Sequence, residues 1–122
     1  MNRIIISIGS NTADRATRMD EALRWLGLQF PGLKTSSIYE TPEYHGVYAP
    51  YFNCVAEAAS DLSAEDIVCL FKNYELLQGR TPESKKSGQV PIDLDVVMFN
   101  NENLRPHETV RDYFLIGYRQ LN

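Results

Sequence analysis

The feature that most constrains the fold is the regular alternation of strand-like and helix-like patterns along the chain. Residues 3–9 form a short apolar run that ends at Gly9, which is typical of a buried strand followed by a turn. From residue 13 to 26, alanine, methionine and leucine recur every three or four positions, which predicts an amphipathic helix that ends at Pro31 and Gly32. The chain therefore begins with a strand and a helix.

The alternation continues with two further strands. Residues 34–40 are rich in strand-forming types, and residues 42–50 contain two prolines and a glycine, which predicts a loop. Residues 51–59 resume an extended pattern. In that strand the predicted faces are Tyr51, Asn53, Val55 and Glu57 on one side and Phe52, Cys54, Ala56 and Ala58 on the other.

A second helix is predicted after Ser63, which stands three residues before Asp66 as in a capping box. Its apolar stripe is Ile67, Leu70, Phe71, Tyr74 and Leu77, and it ends at Gly79. A polar loop then leads into the strand that follows Val90, and residues 112–122 predict a last helix or strand. The order β-α-β-β-α-β predicts a ferredoxin-like α+β sandwich, with one antiparallel sheet and helices packed on one face.

Length and composition limit the classes of protein that this chain can represent. Its 122 residues predict a single domain over 1–122. No run approaches the roughly 18 apolar residues of a membrane span, and the β-branched start predicts a strand, not a signal peptide. Cys54 and Cys69 have apolar neighbours and no second pair for a zinc site, which predicts two buried thiols in a cytoplasmic protein.

Two aspartates stand at alternate positions in the last strand, which reads "VPIDLDVVMFNN". Asp93 and Asp95 should project from the same face, roughly 6.6 Å apart along the strand. The opposite face is predicted to carry Ile92, Leu94, Val96 and Met98. Two close carboxylates on a rigid element suit Mg²⁺, which takes one or two carboxylates and completes its shell with water and phosphate. A solvated polar face on a one-sided sheet is the alternative.

Other candidate contacts lie in the loops. Arg80, Lys85 and Lys86 precede the aspartate strand, where they could hold phosphate oxygens, although loop cations are usually solvated. His45 and His107, taken singly, are typical of surface histidines. Aromatic residues surround the loop of residues 42–50 and would suit either a pocket for a flat ring or the core. The sequence has neither a P-loop nor a G-x-S-x-G nucleophile pattern.

Six segments in the same order resemble the 6-hydroxymethyl-7,8-dihydropterin pyrophosphokinase family, whose members move the pyrophosphoryl group of ATP onto a pterin hydroxymethyl. They are "ISIGSN" at the first strand, "SSIYETP" at 36–42, "YFN" at 51–53, "ELLQGR" at 75–80, "DLDVVMFNNE" at 93–102 and "PH" at 106–107. The resemblance extends over most of the chain.

The resemblance implies roles for particular residues. Asp93 and Asp95 match the two aspartates that hold a pair of Mg²⁺ ions against the ATP phosphates. The implied pterin pocket consists of Thr41, Pro42, Tyr44, Tyr51 and Asn53. Arg80 and His107 match phosphate-contacting residues, Glu75 matches a helix glutamate beside the nucleotide site, and Lys85 and Lys86 are further candidate nucleotide contacts.

The chain departs from the family in the loop before the aspartates. The family pattern R-W-G-P-R-T is K-S-G-Q-V-P here, so Ser87 replaces a tryptophan and Val90 replaces a phosphate-binding arginine. Pro82 stands where family members have another arginine of the same loop. These changes predict reduced activity, because a lysine lacks the paired donors of a guanidinium.

The second departure is at the C-terminal side. The segment between Glu102 and Pro106 is shortened, and typical family members continue beyond the position of Asn122. The stacking phenylalanine of the family corresponds to Tyr113, Phe114 or Leu115.

Three hypotheses follow. The first is an ATP- and Mg²⁺-dependent pterin pyrophosphokinase-type transferase, and the second is a pterin- or nucleotide-binding protein on the same fold that no longer transfers. The third is an RNA-recognition-like domain, which the net charge of −4 and the lack of an RNP1-type aromatic motif disfavour. No membrane partner is expected.

Overall fold

The computed structural model describes residues 1–121, apart from the side chain of Lys85, and its strands form one sheet. The elements are β1 Asn2–Ser10, α1 Arg15–Gln29, β2 Lys34–Thr35, β3 Tyr39–Thr41, β4 Tyr51–Ser60, α2 Ala64–Leu77, α3 Pro82–Lys86, β5 Asp93–Phe99, β6 Glu102–Asn103 and α4 Asp112–Gln120. Among the described residues, no helix is both long and apolar enough to cross a membrane.

The sheet has the order β2-β4-β1-β5-β6, with β3 also paired to β4, and the pairings are antiparallel. This architecture confirms the predicted α+β class. The strand predicted over residues 34–40 is divided into β2 and β3, and Ser36 between them still exchanges bonds with Val55. The loop predicted over 80–91 contains the short helix α3.

One face of the sheet packs against α1 and α2. Ile4, Ile6 and Ile8 of β1 lie fully buried there, as alternation along the strand requires. Each such side chain contributes about 1.5–3 kcal/mol relative to leaving it in water. The predicted start of α2 is confirmed, because the Ser63 hydroxyl accepts a bond from the backbone N–H of Asp66 at 3.1 Å.

The opposite face is partly covered by α4, whose Phe114 packs on Ile5, Val55 and Val97. The approach is close, because a Cβ at Gly117 would lie 2.6 Å from a methyl group of Val55. The sequence left helix or strand open for residues 112–122, and residues 112–120 form a helix, while Asn122 lies outside the described residues. Beside α4, residues at the ends of β1, β4 and β5 line a cavity.

A bulge between β1 and β5 corrects one predicted face. The register shifts between Ile5 and Ile6, which pair with Met98 and Val96 respectively. The extra residue reverses the alternation beyond it. Met98 therefore packs in the α4 cluster, while Phe99 joins the opposite one. The prediction that Met98 shares a face with Leu94 and Val96 is wrong for this reason.

Candidate active site

Three neighbouring strands form the floor of a cavity beside α4. Gly9 in β1 pairs with Asn53 in β4 and with Asp93 in β5, so the three residues make one row across the sheet. Gly9 leaves space in the middle of the row, since a Cβ there would lie 3.4 Å from Tyr51 and 3.6 Å from Asn53 Oδ1. An amide and a carboxylate therefore face the same space.

The cavity has a volume of about 390 Å³, which is within the range of small-molecule sites. Its walls are Ser7, Gly9, Thr41, Pro42, Tyr44, Tyr51, Asn53, Asp93, His107, Glu108, Arg111 and Tyr113. The five residues predicted to bind a pterin all belong to this set. The structure thus brings them together with Asp93 and His107.

The amide of Asn53 is held in a fixed orientation. It is buried, and its Nδ2 donates to Thr41 Oγ1 at 2.6 Å. Its Oδ1 lies toward Gly9, on the cavity side. Burial, with a further contribution from the Asp93 charge, raises the pKa of the neighbouring Tyr51 to about 12, so this wall is a neutral phenol.

Asp93 and Asp95 project from the same face of β5, as predicted. Burial raises the pKa of Asp95 to about 7, and the charge of Asp93 adds to the effect. Two adjacent carboxylates offer the hard oxygen ligands that a divalent cation prefers. The described residues contain no group of three or more metal-ligating His, Cys, Asp or Glu side chains, so water or phosphate would complete the shell.

Arg80 connects the acidic strand to α2. Its Nη1 donates to Asp93 Oδ1 at 2.6 Å and lies 3.0 Å from Glu75 Oε2. Glu75 also accepts a bond from the backbone N–H of Leu94 at 2.8 Å, and burial raises its pKa. Glu75 therefore fixes both β5 and Arg80, a contact that the sequence did not reveal.

The remaining predicted contacts are more dispersed. His107 is exposed and lines the cavity. Lys86 is exposed at the end of α3, outside the set of side chains that line the cavity, and the side chain of Lys85 lies outside the described residues.

Of the two cysteines, Cys54 is buried as predicted, whereas Cys69 is exposed on α2, so the prediction of two buried thiols is wrong for Cys69.

The segment between β6 and α4 contributes residues that the sequence interpretation missed. Glu108 is buried, forms an ion pair with Arg105 and accepts a bond from the Tyr113 hydroxyl at 2.8 Å. Arg111 stacks over the Tyr44 ring at 4.3 Å and donates to its hydroxyl at 2.7 Å. This segment has no periodic pattern, and only the resemblance pointed to Tyr113.

Asn11 was also missed, although it lies in the "ISIGSN" segment. It is nearly fully buried, and its Nδ2 donates to the carbonyls of Gly88 and Ala49, at 2.7 and 3.2 Å. The ring of Tyr48 packs on Gly88, where a Cβ would come within 2.1 Å of it. Asn11 and Tyr48 therefore join the loop of residues 42–50 to the loop of residues 80–91.

The fold and this site define a class: an antiparallel α+β domain with a cavity of small-molecule size and a pair of carboxylates at its edge. The chain belongs to the 7,8-dihydro-6-hydroxymethylpterin-pyrophosphokinase family, whose model matches residues 5–121. This confirms the resemblance seen in the sequence.

Individual relatives agree with this assignment. The chain is 33% identical to the 2-amino-4-hydroxy-6-hydroxymethyldihydropteridine pyrophosphokinase of Bacillus subtilis over 114 residues, which cover 90% of the chain and 68% of that protein. It is 27% identical to a folic acid synthesis protein of Dictyostelium discoideum over 124 residues, or 94% of the chain. A folate synthesis bifunctional protein of Arabidopsis thaliana is 25% identical over 122 residues, or 97% of the chain. The chain spans only 19% and 24% of the length of these last two proteins.

Proposed function

We propose that this domain transfers the pyrophosphoryl group of ATP to the hydroxymethyl group of 6-hydroxymethyl-7,8-dihydropterin, a step of folate synthesis, with Mg²⁺ as cofactor. The observation that carries the proposal is the row formed by Asn53, Gly9 and Asp93. It places an amide that can read the edge of a ring beside an acid that can hold a cation. Family membership and the printed name of the Bacillus subtilis relative support the same reaction.

The pterin is proposed to lie in the cavity. The Asn53 amide carries both a donor and an acceptor, as recognition of a heterocycle edge requires. Thr41 orients this amide, and Pro42, Tyr44 and Tyr51 enclose the ring, with Tyr113 as the aromatic wall contributed by α4. In this proposal the hydroxymethyl group points toward Asp93, which lines the same cavity.

The nucleotide is proposed to lie over the acidic end of β5. Asp93 and Asp95 would hold Mg²⁺, with two ions expected, and the metal would neutralise charge on the phosphates. Arg80 and His107 are the proposed phosphate contacts, with Lys85 and Lys86 as further contacts from α3. Glu75 keeps Arg80 and the strand in place through its two contacts.

In the proposed reaction the pterin hydroxyl oxygen attacks the β-phosphorus of ATP in line. A bond forms between that oxygen and the β-phosphorus, while the bond from the β-phosphorus to the bridging oxygen of the α-phosphate breaks. AMP leaves with the bonding electron pair, and the hydroxyl proton passes to solvent. The side chains contribute positioning and charge neutralisation, without a covalent intermediate.

A second candidate function is binding of a pterin or nucleotide without transfer. Ser87 and Val90 favour it, because they stand where family members have a tryptophan and a phosphate-binding arginine.

The cytoplasm is the proposed location for either function. Free Cys54 and Cys69 support a reducing compartment.

One experiment separates the two candidates. The protein is incubated with ATP, Mg²⁺ and 6-hydroxymethyl-7,8-dihydropterin, and AMP release is measured against the same mixture without pterin. Pterin-dependent AMP supports transfer. If AMP is absent at high protein concentration while calorimetry detects pterin or ATP binding, the transferase proposal is wrong and the binding protein remains. If neither ligand binds, both candidates are wrong.

A further inference from the structure

Each aspartate of the acidic pair has its own arginine. Arg80 contacts Asp93 at 2.6 Å, and Arg105 Nη1 lies 3.8 Å from Asp95 Oδ1. Arg80 comes from the segment between α2 and α3 and Arg105 from the segment after β6, so the two guanidinium groups reach the pair from separate parts of the chain. The pair therefore has a counter-ion for each carboxylate before any cation binds.

Arg105 is held at this place by its surroundings. Its Nε forms an ion pair with the buried carboxylate of Glu108, and both of these atoms are shielded from solvent. Glu108 is itself fixed by the Tyr113 hydroxyl at 2.8 Å. The Arg105 carbonyl accepts a bond from the backbone N–H of Glu108 at 3.0 Å, which closes the turn. About a third of the Arg105 side chain remains exposed, with a side-chain accessibility of 38%.

We propose that Arg105 makes the acidic pair selective for a divalent cation that arrives bound to a polyphosphate over the free cation. The inference rests on the proposed function for the identity of the nucleotide. Arg105 was not among the residues that the sequence predicted to contact a ligand. Arg105 thereby acts as a specificity-determining residue of the nucleotide side of the site.

The selectivity follows from charge. A free divalent ion at Asp95 removes the attraction between Asp95 and Arg105 and places two positive groups a few ångströms apart. A cation bound to polyphosphate brings anionic oxygens with it, and the guanidinium released from Asp95 can donate to them. Charge-assisted bonds from arginine to phosphate are among the strong hydrogen bonds in proteins. Arg105 thus opposes the first ligand and favours the second.

The test compares Arg105→Gln with the parent protein in two calorimetric titrations, one with Mn²⁺ alone and one with α,β-methylene-ATP and Mg²⁺. The two effects should have opposite signs. Free Mn²⁺ should bind about tenfold more tightly, since a like charge is removed. The Mg²⁺ complex of the nucleotide should bind about tenfold more weakly, since a charge-assisted contact is lost. A loss of structure alone would weaken both.

Three further variants sharpen the result. Arg119→Gln removes the same charge at an exposed position on α4 and should change neither affinity. Arg105→Lys keeps the charge, so free Mn²⁺ should bind within about twofold of the parent while the nucleotide complex weakens about threefold. Glu108→Gln removes the ion pair with Glu108 but keeps Arg105. If this variant reproduces both changes of Arg105→Gln, the effect is transmitted through Glu108 and the direct role proposed for Arg105 is wrong.

The inference is wrong if Arg105→Gln leaves free Mn²⁺ affinity unchanged or weaker. If that variant does not fold, a change of more than threefold in Mn²⁺ affinity for Arg105→Lys overturns it equally. Failure of the proposed function has a different signature. A parent protein that binds the nucleotide complex but releases no pterin-dependent AMP contradicts the transferase, whereas unchanged Mn²⁺ affinity in an active enzyme contradicts only the role of Arg105.

Discussion

Asn11 and Val90 are joined by two hydrogen bonds. The Asn11 backbone N–H donates to the Val90 carbonyl at 3.1 Å, and the Val90 N–H donates to Asn11 Oδ1 at 2.6 Å. The same amide reaches the carbonyls of Ala49 and Gly88. One buried side chain at the end of β1 thus fixes both loops that border the site.

Replacing Asn11 with alanine should therefore loosen both loops together. The loss of three side-chain hydrogen bonds that are partly buried should lower the free energy of unfolding by about 2–3 kcal/mol. Urea denaturation gives the stability, and limited proteolysis should detect cleavage in residues 42–50 and 80–91. Asn101→Ala at an exposed turn is the control. Unchanged protease resistance in both loops would show that Asn11 does not hold them.

Val90→Arg should raise the rate of pterin-dependent AMP release. Asn11 already holds the backbone of Val90, so an arginine side chain would extend from a fixed position at residue 90. Because an arginine on a transferring phosphoryl group is worth roughly 10³-fold or more, a gain of at least about tenfold in kcat is expected even from imperfect placement. Gln89→Arg is exposed and adds the same charge one residue away. Equal rates for both variants would mean that position 90 has no special role.

Asp93→Asn and Asp95→Asn should each weaken Mg²⁺-dependent ATP binding by at least about tenfold, as loss of one carboxylate ligand requires. Folding stability should stay within about 1 kcal/mol of the parent or rise, because the loss of like-charge repulsion within the pair offsets the loss of the ion pair that each carboxylate forms with Arg80 or Arg105. Calorimetry with and without Mg²⁺ measures the first effect and thermal unfolding the second. Asp61→Asn, on an exposed turn, is the control. Parent-like binding by both variants would exclude a metal site at the pair.

How far the sequence predicted this molecule depends on the range of the interactions involved. Alternation along β4 correctly assigned Asn53 and Val55 to one face and Cys54 to the other, because side-chain direction in a strand is local. The predicted face of Met98 was wrong because the bulge depends on how β5 pairs with β1, and the sequence of β5 alone does not reveal that pairing.

In the candidate site, too, local patterns were predicted from the sequence and long-range contacts were not. Thr41, Asn53 and Asp93, which line the cavity, were predicted as site residues because they lie within contiguous segments that resemble the family. Arg105 and Glu108 were not, since their role depends on a turn between β6 and α4 and on contacts with Asp95 and Tyr113. No periodicity in that segment marks a side chain that meets a distant strand.

Packing of α4 on the sheet should be very sensitive at Gly117. A Cβ there would lie 2.6 Å from Val55 Cγ2 and 2.7 Å from the Tyr39 hydroxyl, so Gly117→Ala should destabilise the protein by about 1–3 kcal/mol. Gly27→Ala is a matched control in α1, where a Cβ meets nothing within 4 Å. It should stabilise the protein by roughly 0.5–1 kcal/mol through helix propensity. Chemical denaturation of both variants tests the contrast, and equal effects would contradict the packing described for α4.

Tyr39 should make the protein sensitive to alkaline pH. Its hydroxyl donates to the Tyr113 carbonyl and accepts from the Gly117 N–H at 3.0 Å, and burial raises its pKa to about 12 from 10.0. Because the folded pKa is the higher one, this contribution to stability is complete below pH 10 and is lost as the pH rises through about 12.

The measurement is the free energy of unfolding at several pH values between 9 and 12, together with phenolate absorbance of the native protein. In the native state Tyr39 and Tyr51 should ionise later than exposed tyrosines, since burial raises both pKa values to about 12. Tyr39→Phe removes two hydrogen bonds and should cost about 1–2 kcal/mol at neutral pH. It should also reduce the loss of stability at alkaline pH, and the same pH dependence in Tyr39→Phe as in the parent would assign the alkaline loss to other groups.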